Sequence, residues 1–315
     1  MARILRGGPS VTVRSKILVL ANPAAGRGGA RRALARVAAY LREQGHAAEI
    51  VEAESGEALE RIAAEAATAG YARIAALGGD GTFQGVVRGI LGSDIVLGFL
   101  PAGGGNDLAA ALGLPRDPVA AAQVFLGARP RSMDVLRARF AGGKTSIYLG
   151  GGGLGLDAEA AALAMARFHR LPGAARYLAG ALWAFASFQP FHLHAEIDGK
   201  QIILDRAGLL LAAINNTPTY GAGVRIAPDA RVDDGLLEIV LVRQMSWLRL
   251  VEAIPLLLQS GRIHWPEIER YRGRQVVLRT DRPVAFHGDG EILGESPVEI
   301  EVLPAAIRVA APARV

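Results

Sequence analysis

The sequence predicts a two-part protein: an α/β domain built on a parallel sheet, followed by a domain of antiparallel β-structure. Three observations carry this. Apolar strand-like runs alternate with helical periodicity through about residue 130. Past about Arg131 that alternation gives way to short strands separated by turn signals. The chain has 315 residues, 51% hydrophobic and 21% charged, which is too long for one small domain and too apolar for a disordered chain.

Each element has its own reason. Lys16 to Ala21 is a short apolar run that ends in Asn22-Pro23, the pattern of a buried strand. Arg31 to Gln44 sets Leu34, Val37, Ala38 and Leu41 on one helical face, and Gly45 stops it. Ala48–Ala53, Arg73–Leu77 and Ile95–Leu100 read as further strands. Glu57–Ala69 and Thr82–Leu91 read as the helices between them. In the second part, strands are expected at 133–140, 146–149, 192–197, 202–215, 236–242, 275–280 and 298–302. Asp198-Gly199 marks a hairpin. Two helical stretches, 157–170 and 174–188, interrupt the strands.

Composition narrows the chemistry. With no cysteine there is no disulfide framework and no thiolate metal site. No run approaches the roughly 18 charge-free apolar residues of a membrane-spanning helix, and residues 1–16 lack the apolar core of a secretory signal. A cytoplasmic protein is expected. The net charge is +5, and only three of the 35 basic residues are lysine. Arginine forks suit phosphate and carboxylate, although a compositional bias explains the excess equally well. No dense basic run interleaved with aromatics points to nucleic acid. The six histidines form no zinc spacing, and Gly-x-Ser-x-Gly is absent.

Three glycine-rich segments follow successive strands. They are Asn22-Pro23-Ala24-Ala25-Gly26-Arg27-Gly28-Gly29, then Gly78-Gly79-Asp80-Gly81-Thr82, then Pro101-Ala102-Gly103-Gly104-Gly105-Asn106-Asp107-Leu108-Ala109. Glycine lets main-chain N–H groups approach an anion, and a helix start favours negative charge. Any one of them is also an ordinary turn; three on neighbouring strand ends are far more specific. Asp80 can serve Mg²⁺ or a hydroxyl proton, and Thr82 can cap a helix or bond a phosphate. Two acidic turns lie later: Pro228 to Leu236, with Asp233 and Asp234, and His287-Gly288-Asp289-Gly290-Glu291. In a strand Asp289 and Glu291 would share a face; in a hairpin they would flank the turn.

In this order the motifs resemble the diacylglycerol kinase catalytic-domain family, which includes soluble bacterial lipid kinases and the sphingosine and ceramide kinases. The resemblance extends through Gly155-Leu156-Asp157-Ala158, Tyr220-Gly221-Ala222-Gly223, the Pro228 turn, Asp289-Gly290-Glu291 and Leu303-Pro304-Ala305-Ala306-Ile307, and so covers nearly the whole chain. It implies an α/β nucleotide-binding domain over 1–132, rejoined by 302–315, and a β-sandwich lipid-substrate domain over 133–301, with ATP between them. The loops at 22–26, 79–85 and 103–106 would cradle ATP through Asn22, Pro23, Ala24, Ala25, Gly26, Gly79, Asp80, Gly81, Thr82, Gly103, Gly104, Asn106 and Asp107. Asp289 looks like the general base, with Glu291 beside it and Asp80 in the acidic cluster. Mg²⁺ is implied as well, held by Asp234 with the backbone oxygens of Arg231 and Leu236, and contacted by Asp134. The implied partners are a membrane lipid (diacylglycerol, ceramide or a sphingoid base) and an anionic membrane surface met peripherally, with a homodimer left open.

The chain departs from the family pattern at Glu52, Gln84, Gly85, Gly104 and Leu149. The Gly-Gly-Asp-Gly loop is shared with the NAD kinases and leaves an NAD kinase-like enzyme as one alternative; the changes at Glu52, Gln84, Gly85 and Gly104 leave a weakly catalytic lipid- or nucleotide-binding protein as another. Leu178, Leu182, Trp183, Phe185, Phe188 and Phe191 form an apolar segment that suits a core or, with Arg167, Arg170 and Arg176, an acyl-chain pocket or membrane-docking face. Trp247 to Leu258 forms a second such helix.

Overall fold

The computed structural model describes residues 4–5, 16–156, 179–180, 183–185, 188–202, 208–219 and 223–313. By its internal contacts the chain divides into two units, 1–133 with 305–315, and 134–304.

The first unit is a parallel α/β sheet. Its elements are β1 (Ile4–Leu5), β2 (Ile17–Ala21), α1 (Gly29–Glu43), β3 (Ala48–Glu52), α2 (Gly56–Thr68), β4 (Arg73–Gly78), α3 (Asp80–Ile90), β5 (Val96–Pro101), α4 (Asp107–Ala111) and α5 (Pro118–Gly127). The strands lie in the order β1-β3-β2-β4-β5, parallel except for β1. Every residue of β2 and β5 is buried, which is why these runs are continuously apolar rather than alternating. Val19, Ala75 and Leu77 pack with Leu34 and Val37 of α1 and Phe125 of α5. On α3, Phe83 stacks on Phe99 of β5 at 4.3 Å. Ser55 and Asp117 cap α2 and α5 by accepting the N–H groups of Ala58 and Ala120.

Helices α2 and α3 meet closely through glycine. A Cβ on Gly89 would lie 2.2 Å from the Glu60 carbonyl oxygen and 2.7 Å from Ala63 Cβ; one on Gly85 would lie 2.8 Å from the Gly56 oxygen. The Gly89→Ala change gains about 1 kcal/mol of helix propensity. Overpacking against main chain costs about 3 kcal/mol. The variant should therefore lose about 2 kcal/mol, read as a lower denaturant midpoint at unchanged slope.

The second unit holds two antiparallel sheets. It adds β6 (Pro130–Phe140), β7 (Thr145–Tyr148), β8 (Gly151–Gly155), β9 (Leu193–Ile197), β10 (Lys200–Ile202), β11 (Leu209–Asn215), β12 (Leu237–Arg243), α6 (Trp247–Gln259), β13 (Ile268–Gly273), β14 (Gln275–Thr280), β15 (Ala285–Gly288), β16 (Glu291–Glu295) and β17 (Val298–Ala310). One sheet runs β17-β14-β9-β10, with β6 paired to β17 and β7 to β6; the other runs β13-β12-β11-β8-β15-β16. Side chains of both interdigitate in one core, among them Leu136, Tyr148, Leu154, Ile197, Ile214, Ile239, Leu278, Phe286 and Ile300. The first residues of β6 and the last of β17 belong to the first unit, where Arg308 and Val309 pair parallel with β5.

The expected order of an α/β domain and then an antiparallel β domain is present. The strand expected over 202–215 is two strands, β10 and β11, with 203–207 outside the described residues. The helix expected over 157–170 and most of that over 174–188 also lie outside them. Among the described residues no helix is long and apolar enough to cross a membrane.

Candidate active site

The three glycine-rich loops leave the carboxyl ends of β2, β4 and β5, which are adjacent strands. They touch one another main chain to main chain. Gly26 has φ +61°, and a Cβ there would sit 2.0 Å from the Ala102 oxygen; one on Gly103 would sit 2.5 Å from Gly79 Cα. Only glycine permits this approach. Gly81 and Gly104, by contrast, have nothing within 4 Å of a Cβ.

The polar side chains of these loops mostly shape the loops themselves. Asn22 Oδ1 accepts the Ala24 N–H at 3.0 Å; Pro23 is buried, Ala25 half-buried and Ala24 exposed. Asn106, at φ 61°, clasps Gly103 with two bonds: its Oδ1 accepts the Gly103 N–H at 3.0 Å and its Nδ2 donates to the Gly103 carbonyl at 2.9 Å. The Asp80 carboxylate accepts the N–H groups of Asp107 (3.2 Å) and Leu108 (3.1 Å), tying the second loop to the third. Thr82 is buried, with its side chain over Gly78.

In the second unit, Asp289-Gly290 is the two-residue turn of the β15–β16 hairpin, closed by Gly288 opposite Glu291. Both turn residues have positive φ (51° and 87°), as a type I′ turn requires. Asp289 and Glu291 therefore do not share a strand face; Glu291 opens β16 and is exposed. The Asp289 carboxylate turns into a nest of main-chain donors: Leu149 N–H to Oδ2 at 2.7 Å, and Gly150 and Gly151 N–H to Oδ1 at 2.8 and 3.3 Å. Two effects oppose each other here. Burial penalises the ionised form and is the larger, so the Asp289 pKa lies above its ordinary 3.8, while the three N–H groups and nearby His287 pull it down. Tyr148, fully buried behind it, has its phenol pushed up by burial and by the Asp289 charge.

Asn216 is a residue that sequence reasoning missed. Its only signal was a pair of consecutive amides, Asn215-Asn216, closing an apolar strand. It is fully buried, and its Nδ2 donates to the carbonyls of Asp134 (3.2 Å) and Leu149 (3.1 Å).

The candidate cation turn gathers two predicted carboxylates. Asp134, 2% exposed, accepts the Gly235 N–H at 2.7 Å, and its own N–H donates to the Val232 carbonyl. Asp234 accepts the Leu236 N–H at 3.1 Å. Among the described residues no group of three or more Asp, Glu or His side chains is arranged to hold a metal. A cation here would thus lean on main-chain oxygens. An all-oxygen donor set beside a buried carboxylate fits a hard ion such as Mg²⁺.

The apolar 178–191 segment divides. Phe191 is buried and Phe188 packs on the core, whereas Trp183 is 49% exposed and Phe185 meets Trp247 at 5.3 Å. On α6, Ala253 is buried, while Trp247, Leu248, Val251 and Leu258 are exposed. Leu178, Leu182, Arg167, Arg170, Arg176, Asp157, Ala158 and 220–222 lie outside the described residues.

The model of the family described as diacylglycerol kinase catalytic domain matches residues 16–138. That described as YegS C-terminal NAD kinase beta sandwich-like domain matches 152–311. Over 303 residues the chain is 30% identical to a protein of Mycobacterium tuberculosis named diacylglycerol kinase, covering 94% of this chain and 95% of that one. The chain belongs to the diacylglycerol kinase family. It is a lipid kinase, a phosphotransferase with an alcohol group as acceptor. This kinase is also 35% identical over 283 residues to a protein of Chromohalobacter salexigens named lipid kinase YegS-like, covering 86% of each chain. A crystal structure of a diacylglycerol kinase from Bacillus anthracis shares its fold at TM-score 0.73 and 19% identity, covering 95% of this chain and 97% of that one.

Some departures from the family pattern have a packing reason in this kinase. Gly85 stands where α3 presses on Gly56 and Leu59, so a longer side chain would push α2 away. Gln84 is buried in α3. Glu52 closes β3 beside Ala21 and is half-buried. Gly104 faces open space, so nothing in its packing requires glycine.

Proposed function

We propose that this lipid kinase transfers the γ-phosphate of ATP to a hydroxyl of a membrane lipid of the diacylglycerol, ceramide or sphingoid-base class. The observation that carries the reading is the contact of three glycine loops at adjacent strand ends. It gathers glycine main chain that is open at Gly28, Gly81 and Gly104, where nothing lies within 4 Å of a Cβ, and such glycine main chain suits a polyphosphate. The residues that would hold ATP are those of the loops at 22–26, 79–82 and 103–107, with Asn106 and Asp80 fixing loop shape. Asp289 accepts the proton of the lipid hydroxyl, and its raised proton affinity brings it closer to that task than an ordinary aspartate. Mg²⁺, when bound, offsets charge on the phosphates. Asp134, Asp234 and the main-chain oxygens of Arg231 and Leu236 are the candidate holders of a further cation. The partner is an anionic membrane surface, a reading supported by the exposed Trp183, Trp247 and Leu248 and by the +5 charge.

The test is a panel of diacylglycerol, ceramide and sphingosine in phosphatidylglycerol vesicles, with NAD alongside, given labelled ATP and Mg²⁺. Label is expected in a lipid. Label in NAD alone, or in nothing, would overturn the reading. The Asp234→Ala change should lower turnover and remove any Mg²⁺-dependent rise in Tm. A wild-type melting curve indifferent to Mg²⁺ would take the cation away from this turn.

A further inference from the structure

The segment 149–151 is held from two sides. Its three N–H groups converge on the Asp289 carboxylate at 2.7 to 3.3 Å. Its carbonyls are anchored on residues 216 and 217: the Asn216 and Thr217 N–H groups donate to the Gly150 oxygen at 2.7 and 3.2 Å, and Asn216 Nδ2 donates to the Leu149 oxygen at 3.1 Å. The same Nδ2 reaches the Asp134 carbonyl at 3.2 Å. Two carbonyl oxygens flank that atom, so it must be the amide nitrogen and not the oxygen. Asn216 is fully buried, which keeps water from competing for these bonds.

We infer that Asn216 is the positioning residue of the catalytic base: it fixes the 149–151 peptides so that their donors meet the Asp289 carboxylate, and it ties them to the strand carrying Asp134. The inference rests on the assignment of Asp289 as the base. It predicts a change in proton affinity and not only in stability. A loosened nest gives the carboxylate less support in its ionised form, so Asp289 should hold its proton to higher pH. Among the described residues the titratable groups acting on Asp289 are His287, in the strand β15 that precedes the turn, and the Tyr148 phenol; neither is altered by a change at 216.

The experiment uses the full chain carrying Asn216→Leu, which has the same number and branching of side-chain heavy atoms but no donors. At neutral pH its kcat should fall about tenfold to a hundredfold with KM for ATP little changed. The acid limb of its kcat/KM profile should move to higher pH. Gly150→Ala is the second variant, because its Cβ would stand 3.1 Å from Asp289 Oδ1 and 3.2 Å from Thr217 Oγ1 while Asn216 stays in place. It should give the same signature. The carboxyl carbon of Asp289, followed by NMR against pH, should titrate higher in both variants whether or not any lipid is phosphorylated. That readout separates this inference from the kinase reading, which fails if the wild type labels no lipid. An Asp289 titration unchanged in either folded variant would overturn it. So would a kcat loss that vanishes once activity is scaled to the folded fraction.

Discussion

Asp289→Asn should reduce turnover by on the order of a thousandfold while leaving the chain folded and able to bind ATP. The magnitude follows from removing a general base from a step in which an alcohol, a poor nucleophile while it keeps its proton, attacks phosphorus. Folding survives because asparagine tolerates the left-handed φ of 51° at this turn position. The amide oxygen can keep the Gly150 and Gly151 donors, leaving the amide nitrogen against the Leu149 N–H, at a cost of about one hydrogen bond. Opposing that cost, the variant no longer buries a charge. The pH dependence has a definite sign. The folded-state pKa of Asp289 is raised above 3.8. Its contribution to stability is therefore fully present below the unfolded pKa and is lost as pH rises through the folded one. The Asn variant lacks this loss, so the Tm difference between variant and wild type should move in the variant's favour from acid to neutral pH. In the wild type the acid limb of kcat/KM should lie above pH 3.8. Full activity of Asp289→Asn would remove the residue from the base role.

What the sequence made legible follows from how local each signal is. The first unit was readable because β2, β4 and β5 are continuous apolar runs and α1 and α2 carry clear 3.6-residue periodicity. Strand β8 was not readable: Gly151 to Gly155 has four glycines in five residues, and no propensity scale makes that a strand. It exists because β11 and β15 pair with it on either side, and they leave no room for a side chain at Gly152 or Gly155, where a Cβ would lie 2.5 Å from the His287 oxygen and 2.4 Å from the Leu210 oxygen. The Asp289 hairpin was legible as Asp-Gly, but the direction of its carboxylate depends on Leu149, about 140 residues earlier. Asn216 was missed for the same reason. An amide ending a strand carries no motif, and its role is set by Asp134 and Leu149, which only the fold brings to it.

Glycine positions that look alike in sequence should behave very differently when substituted. Gly26→Ala meets two penalties at once. The left-handed φ of +61° costs a non-glycine residue about 1–2 kcal/mol. A Cβ lying 2.0 Å from the Ala102 carbonyl oxygen adds an overpacking cost of about 1–3 kcal/mol, since main chain must move to relieve it. The total, about 2–5 kcal/mol, is a large part of the 5–15 kcal/mol typical of a whole domain. Gly103→Ala carries no φ penalty but would stand 2.5 Å from Gly79 Cα and 2.9 Å from Asn106 Oδ1, so it prises apart the second and third loops and unseats the Asn106 clasp. Both variants should show a lower denaturant midpoint and at least about tenfold weaker ATP binding by titration calorimetry, because the same contacts set loop shape. With nothing within 4 Å of the new Cβ, Gly104→Thr should keep the wild-type midpoint, and Gly81→Ala, inside α3, should match or exceed it. If Gly26→Ala and Gly104→Thr prove equally stable, the loops do not touch as described, and their convergence can no longer support a phosphate-binding role.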